Sequence, residues 1–155
     1  MVPHLQVEMA LLVHRGVATR VKTVLIVDDD LGFVFWLGQA LDRVGYNALP
    51  AKGVAEAKSL IESFRVRVDL LMIGAALPGA AEFAADLVKE DGGVKIVGLA
   101  EGNQPPSESF PGLIAWQCKP DSRDESWKAD CITLIQTLLP GDANGEQVIP
   151  AARTN

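Results

Sequence analysis

Short runs of apolar residues alternate along this chain with longer segments in which apolar residues recur at helical spacing. Segments rich in apolar residues occupy positions 24–27, 66–73, 94–99 and 113–118, with unbroken apolar runs at 24–27 and 70–73. Continuous runs of this length suit strands that are buried on both faces of a parallel sheet. A shorter and weaker strand is predicted over residues 47–51, which completes a set of strands separated by helices.

The spacing of apolar residues predicts helices over 31–44, 54–64 and 81–90, and a last helix that ends at Leu139 and is capped by Ser122 or Asp124. Gly45 has the position of a left-handed cap after the first helix. The apolar stripe of the first helix contains Phe33, Trp36, Leu37, Ala40, Leu41 and Val44. The second helix offers Ala55, Ala57, Leu60, Ile61 and Phe64 as packing positions. Val34 and Phe35 fall off the first stripe, so they either widen a buried face, which the pattern favours, or form a surface patch.

Strand and helix alternate five times, which predicts a doubly wound α/β fold with helices on both faces of the sheet. At this length we expect a flavodoxin-like, five-stranded parallel sheet of order 2-1-3-4-5. The domain is predicted to span residues 21–140. Residues 1–20 are expected to be a poorly ordered leader and residues 141–155 a disordered tail. A polar, proline-rich segment holds Pro105 and Pro106, and any helix in it is expected to be short and to start near Pro106.

The composition narrows the class of function. The chain has 155 residues, of which 48% are hydrophobic and 22% charged, and this is ordinary for a globular domain. The formal net charge of -6 argues against non-specific binding to nucleic acid. The two cysteines, Cys118 and Cys131, form no disulfide framework, and no apolar run is long enough to cross a membrane. We therefore expect a cytoplasmic protein.

Three consecutive carboxylates, Asp28, Asp29 and Asp30, follow the first strand directly. They emerge together at the carboxyl end of that strand, where open α/β sheets bind ligands. Alternatively, Asp30 caps the next helix and the other two are solvated loop acids.

Four short motifs in order, between elements of the expected type, resemble the receiver domain of two-component response regulators, the CheY-like family. They are Val27-Asp28-Asp29, Gly45-Tyr46, Leu77-Pro78-Gly79 and Lys119-Pro120. The resemblance covers roughly residues 21–139. It implies that an acid pair holds Mg²⁺, that a third aspartate at the end of the third strand accepts a phosphoryl group, and that a lysine pairs with the phosphate. It also implies a Ser or Thr ending the fourth strand and an aromatic switch residue three positions before the lysine.

Carried over residue by residue, the resemblance is partial. Asp28 and Asp29 match the acid pair, Lys119 matches the lysine and Trp116 stands at the aromatic switch position. Gly74 occupies the phosphoacceptor position and Leu99 the Ser/Thr position. The chain therefore lacks two groups that contact phosphate.

No nearby residue replaces the missing nucleophile. Asp69 lies at the other end of the same strand, and Glu82 and Asp86 belong to the following helix. The segment 74–79 has the bare G-x-x-x-x-G spacing but lacks the Lys-Ser/Thr of a phosphate-binding loop. We therefore predict no catalytic residue and no enzymatic activity.

The remaining residues allow two interpretations. Asp28 and Asp29 could bind Mg²⁺ weakly, or not at all, without a third carboxylate or phosphate oxygens. Alternatively, an Asp29–Lys119 ion pair neutralises part of the clustered charge and joins two strand ends. Cys118 is expected to be a small core residue rather than a reactive thiol, and Trp116 is either buried or an exposed contact residue.

The resemblance implies a degenerate receiver, a pseudo-receiver, that acts in signal transduction by binding protein partners without phosphorylation and without a cofactor. The expected contact surfaces are the Pro105-Pro106 segment with the last strand and helix, or the first helix; a homodimer is possible. The alternatives are a working phosphorelay receiver with another acceptor residue and a flavodoxin-like cofactor-binding protein. The chain could be free-standing or a piece of a larger protein.

Overall fold

A computed structural model describes residues 20–101, 110 and 112–140. Residues 1–19 of the predicted leader, the helix expected near Pro106 and the predicted tail at 141–155 lie outside these described residues. The strands are β1 (Thr23–Val27), β2 (Asn47–Ala51), β3 (Leu70–Gly74), β4 (Lys95–Ala100) and β5 (Leu113–Cys118). The helices of the described residues are α1 (Leu31–Arg43), α2 (Val54–Phe64), α3 (Ala80–Glu90) and α4 (Glu125–Leu138).

The strands form one parallel sheet in the order β2-β1-β3-β4-β5, which confirms the predicted flavodoxin-like topology. All residues of β1 and β3 are buried, as expected for central strands covered on both faces. Within the described part of the chain, no helix is long and apolar enough to cross a membrane.

Two hydrophobic clusters, one on each face of the sheet, hold the layers together. On one face, α1 and α4 pack on the sheet through side chains such as Phe33, Leu37, Cys131 and Ile135. On the other face, α2 and α3 contribute Ala57, Ala80, Phe83 and Ala84. The helices therefore cover both faces, as the alternation of strands and helices predicts.

Strand β3 is shorter than the sequence indicates. Residues 66–73 look like one strand, but β3 spans Leu70–Gly74, and its first residue lies opposite Val24 of β1. The backbone N–H of Asp69 still donates to the carbonyl of Thr23 at 3.0 Å. Val68 is buried without belonging to the strand.

The structure shows which of the two residues outside the predicted apolar stripe of α1 is buried. Val34 is fully buried, as the pattern favours, whereas Phe35 is 53% exposed. Three residues expected to pack are also exposed: Ala55, Val44 at 43% and Phe64 at 66%. Val44 follows the last turn of α1 as its C-cap, and Phe64 is the last residue of α2, so both lie where the helices reach the edge of the sheet.

Backbone turns fix where the loops leave the helices. Gly45 has a φ of 100° after α1, as predicted, and Gly79 has a φ of 78° before α3. Asp124 caps α4 by accepting hydrogen bonds from the backbone of Ser126 and Trp127. Gly79 and Asp124 thus mark the starts of α3 and α4, which follow the ends of strands at the carboxyl edge of the sheet, where Asp28, Asp29 and Asp30 also lie.

Candidate functional site

The three aspartates after β1 occupy three different environments. Asp28 is 2% exposed, and its Oδ1 accepts a hydrogen bond of 2.9 Å from the backbone N–H of Asp30. Asp30 is the N-cap of α1, since its Oδ1 accepts from the backbone N–H of Phe33 at 3.1 Å. Asp29 is exposed between them. The cap interpretation is therefore correct for Asp30, while Asp28 is a buried acid.

Lys119 extends from the end of β5 toward the buried acid. Its Nζ lies 2.8 Å from Oδ1 of Asp28 and 3.4 Å from Oε2 of Glu101. The expected Asp29–Lys119 ion pair is wrong: the partners are Asp28 and Glu101, because Asp28 is buried beside the lysine and Asp29 is exposed. The lysine nevertheless joins the ends of β1 and β5, as that interpretation required.

The surroundings of Lys119 favour its charged form. Burial alone would lower the lysine's pKa, but the hydrogen bond to Asp28 and the negative charges of Asp28 and Glu101 outweigh burial and raise the pKa above its usual value. The ammonium group also lies 5.5 Å from the centre of the Phe33 ring, where a cation is attracted to an aromatic face. Lys119 is therefore a firmly charged and largely buried group, with a side chain that is 12% exposed.

Gly74 ends β3 directly beside this pair. A Cβ atom at position 74 would lie 2.9 Å from Oδ2 of Asp28 and 3.2 Å from Cγ of Leu77. The position therefore faces the acid, as the alignment of the motifs predicts. A side chain at position 74 would therefore contact both Asp28 and Leu77, and glycine itself supplies no nucleophile at this strand end.

A small cavity of about 110 Å³ lies over the site. Its lining residues are Asp28, Asp29, Gly74, Ala76, Leu77, Pro78, Leu99 and Glu101. Among the described residues, no group of three or more His, Cys, Asp or Glu side chains is arranged to hold a metal ion. Metal binding by Asp28 and Asp29 stays a prediction, and the structure adds that Asp28 already has a cationic partner.

Leu99 and Trp116, the two expected switch positions, are on adjacent strands. Leu99 is 1% exposed and packs in the cluster under α1 and α4. In the register of β4 and β5, Leu99 lies opposite Gln117 and Trp116 lies opposite Gly98. Trp116 is 38% exposed, and Ala115 packs against the cluster that contains Leu99. Because side chains alternate along a strand, Trp116 faces away from that cluster and is an exposed residue rather than a buried one.

Motif matching missed two residues of the site. Glu101 directly follows β4, as Asp28 directly follows β1, and this shared position was the signal that could have identified it. Leu77 carried no signal, because only the structure shows that its side chain fills the space beside Gly74.

The two cysteines lie in different environments. The Cys118 carbonyl accepts a hydrogen bond of 2.7 Å from Nε1 of Trp127, which ties β5 to α4. Cys131 is buried in the core, and burial raises the pKa of its thiol to about 12. Cys118 is of intermediate exposure rather than fully buried.

Asp69 is far from the site, as predicted, and has its own partners. Its carboxylate accepts hydrogen bonds from Nη1 of Arg20 at 3.0 Å and from the backbone N–H of Thr23 at 2.8 Å. Burial opposes the charge, but the hydrogen bonds and the positive charge of Arg20 prevail and lower the pKa of Asp69. Glu82 and Asp86 are exposed on α3, and so none of these acids replaces a nucleophile at position 74.

Comparisons with known proteins identify relatives by structure only. No family model matches the sequence, and no curated protein resembles it. Among solved structures, the chemotaxis response regulator CheY4 of Vibrio cholerae is 21% identical with a TM-score of 0.61, covering 77% of this chain and 100% of that one. The response regulator TrrA of Thermotoga maritima, solved with Mg²⁺ and BeF, is 24% identical with a TM-score of 0.60 and the same two coverages.

A response regulator receiver protein of Sinorhizobium medicae is also similar, at 18% identity and a TM-score of 0.64, over 79% of this chain and 97% of that one. These structures match the described sheet over nearly their whole length, and their common feature is the receiver architecture. The order of the strands agrees with that architecture. The chain therefore has the CheY-like fold of response regulator receiver domains.

Proposed function

We propose that this protein is a receiver-like signalling module that accepts no phosphoryl group and acts by binding a protein partner. On this proposal it is not an enzyme, needs no cofactor and binds neither nucleic acid nor membrane. It works in the cytoplasm, where its output depends on its abundance or on another input.

The environment of Gly74 is the observation that carries this proposal. An acyl phosphate forms on a carboxylate, and glycine has no side chain to supply one. A Cβ at this position would meet Oδ2 of Asp28 at 2.9 Å and Cγ of Leu77 at 3.2 Å, so a side chain here would require these neighbours to shift. A packed apolar residue beside the buried acid supports a structural rather than a catalytic role for this strand end.

The pairing of Asp28 supports the same conclusion. Its Oδ1 receives both the Asp30 backbone N–H and the ammonium of Lys119, at 2.9 and 2.8 Å. In addition, Leu99 offers no hydroxyl to a phosphate. The groups that remain at the site therefore neutralise one another and connect the ends of β1 and β5.

Exposed apolar residues supply candidate contact surfaces for the partner. Ile114 is 52% exposed and Trp116 38% exposed, both on β5, while Pro105 and Pro106 lie outside the described residues. Phe35 on α1 is 53% exposed. The β5 surface is the first candidate because two exposed apolar side chains lie two residues apart on one strand. The same surface would also serve in a homodimer.

Incubation with acetyl phosphate and Mg²⁺, followed by intact-mass measurement, tests the proposal. We expect no added phosphoryl group, whereas a receiver domain that has its phosphoacceptor aspartate, treated in parallel, should gain one. A stoichiometric, hydroxylamine-labile phosphoryl group on this protein would overturn the proposal in favour of a phosphorelay receiver.

The absorption spectrum of the purified protein tests the third alternative in the same preparation. A module that acts through partners should show only the absorbance of its aromatic side chains. A stoichiometric flavin or other chromophore would favour a flavodoxin-like cofactor-binding protein instead.

A further inference from the structure

A groove between α2 and α3 combines an apolar floor with an acidic rim, and its lining includes none of Asp28, Asp29 and Asp30. Its cavity volume is about 180 Å³, and its lining residues are Lys58, Ile61, Glu62, Phe83, Asp86, Leu87 and Glu90. Phe83 is buried in the core and Leu87 packs against it. Phe64, three residues after Ile61 and thus on the same side of α2, is 66% exposed and extends the apolar surface.

The acids on the rim are placed where they repel one another. Asp86 and Glu90 are four residues apart on α3, a spacing at which like charges destabilise a helix. Glu90 is the last residue of α3, and Glu62 lies in the last turn of α2. Helix C-termini carry a partial negative charge, so both glutamates increase the negative potential there.

Within the described part of the chain, no ion pair offsets this repulsion. None of Glu62, Asp86 and Glu90 forms an ion pair there. Lys58 is the single basic side chain among the described residues that line the groove. The groove therefore presents a net negative rim around an apolar depression of the size of one large side chain.

We propose that this groove binds a basic amphipathic segment of a partner protein, with an aliphatic or aromatic side chain in the depression and Lys or Arg side chains against the rim. Apolar burial supplies affinity, and charge complementarity selects the basic partner and speeds its association. This inference goes beyond the proposed function, because binding between α2 and α3 neither requires nor excludes phosphorylation at the carboxyl edge of the sheet.

The test uses the full chain and a fluorescein-labelled helical peptide that has a leucine stripe flanked by arginines, with a matched peptide in which glutamate replaces arginine. Fluorescence anisotropy should show binding of the basic peptide only, and the affinity should fall as salt is raised. Amide chemical-shift changes in the unmodified protein should centre on residues 58–64 and 83–90. Changes centred elsewhere would overturn the proposal.

Two variants with equal charge change separate a specific groove from general attraction to an acidic protein. Asp86→Lys with Glu90→Lys should weaken peptide binding about tenfold or more, since it reverses the rim. Asp121→Lys with Asp130→Lys changes two exposed acids beside or on α4 and should alter the affinity less than about twofold, as expected of charges beyond the screening length. Equal weakening by both pairs would show that net charge alone attracts the peptide, and the groove proposal would be rejected.

A stability measurement adds a readout that does not depend on the peptide. Asp86→Asn with Glu90→Gln removes the repulsion, so the melting temperature should stay the same or rise while peptide binding weakens. A lowered melting temperature would mean that these carboxylates support the fold, contrary to the proposal.

Discussion

Replacing Lys119 by methionine removes the cation that pairs with the buried Asp28. Methionine keeps most of the aliphatic side chain and deletes the ammonium, which also lies 5.5 Å from the centre of the Phe33 ring. Asp28 is 2% exposed and Lys119 12% exposed, so little water can replace the lost partner. Glu101, whose side chain is 74% exposed, is hydrated without the lysine and adds little to the cost.

Leaving a buried carboxylate without its cation costs about 3–5 kcal/mol in fully buried pairs. The backbone N–H of Asp30 still donates to Asp28, and the cavity at the site admits some water. We therefore expect Lys119→Met to lower the free energy of unfolding by about 2–4 kcal/mol, between the cost of an unsatisfied group and that of a broken buried pair. With a urea m-value of about 2 kcal/mol/M, the unfolding midpoint should fall by about 1–2 M.

The matched control is Lys128→Met. Lys128 forms an ion pair of 2.9 Å with Glu125, but the glutamate is largely exposed, and such pairs contribute less than about 1 kcal/mol. A double variant, Asp28→Asn with Lys119→Met, removes both charges and should recover much of the loss. An unchanged urea midpoint for Lys119→Met, or a double variant less stable than the single one, would refute the reasoning.

The same urea titrations at alkaline pH give a second check on the role of Lys119. The pKa of folded Lys119 is raised, so its stabilisation is complete below the unfolded lysine value of about 10.4 and is lost as pH rises through the higher folded value. The midpoints of the natural protein and Lys119→Met should therefore differ at pH 7 and converge at strongly alkaline pH.

Three further changes test other parts of the structure. Gly74→Asp should lower the free energy of unfolding by about 1–3 kcal/mol in urea titrations, because a Cβ at position 74 would lie 2.9 Å from Oδ2 of Asp28 and 3.2 Å from Cγ of Leu77 and these groups must shift. Added Leu77→Ala should recover part of this loss, and no loss would contradict the packing. Titration with Mg²⁺ should leave tryptophan fluorescence nearly unchanged at physiological concentrations, and a saturating sub-millimolar transition would contradict the pairing of Asp28. Asp69→Asn should lower the free energy of unfolding by about 1–3 kcal/mol at pH 7. Because the pKa of folded Asp69 is lowered, its contribution to stability is present above about pH 4 and is lost as pH falls through that lowered value. The melting temperatures of the natural protein and Asp69→Asn should therefore converge in acid and not at neutral pH.

The strand order could be predicted because each central strand is a continuous apolar run, and such runs identify buried parallel strands. The limits of β3 could not, because Val66 and Val68 alternate with Arg67 and Asp69 as they would in a half-buried strand. Where a strand begins depends on its neighbour, and β1 offers its first opposing residue at Val24. That information lies elsewhere in the chain.

The candidate site was predicted in its positions but not in its contacts. The motifs placed Asp28, Gly74 and Lys119 at one edge of the sheet, where the structure also places them. Which aspartate faces the lysine depends on the direction in which the chain leaves β1, and consecutive identical residues give no clue to it. The role of Leu77 depends on the course of a loop, which follows from packing rather than from periodicity.

Exposed aromatic residues show the same limit on the helices. Phe35 and Phe64 have large apolar side chains like those of core residues, yet they are 53% and 66% exposed. A helical pattern indicates a stripe of apolar side chains, but the width of the covered face is set by the elements that pack against it.

The packing of Leu77 beside Gly74 couples changes at these two positions. An aspartate introduced at position 74 requires Asp28 and Leu77 to shift, so its expected first effect is lost stability. A smaller residue at position 77 would relieve one of these contacts, but by itself it would leave an unfilled space beside a buried acid. Single changes at positions 74 and 77 are thus each expected to lower stability, and the two residues constrain each other's replacement.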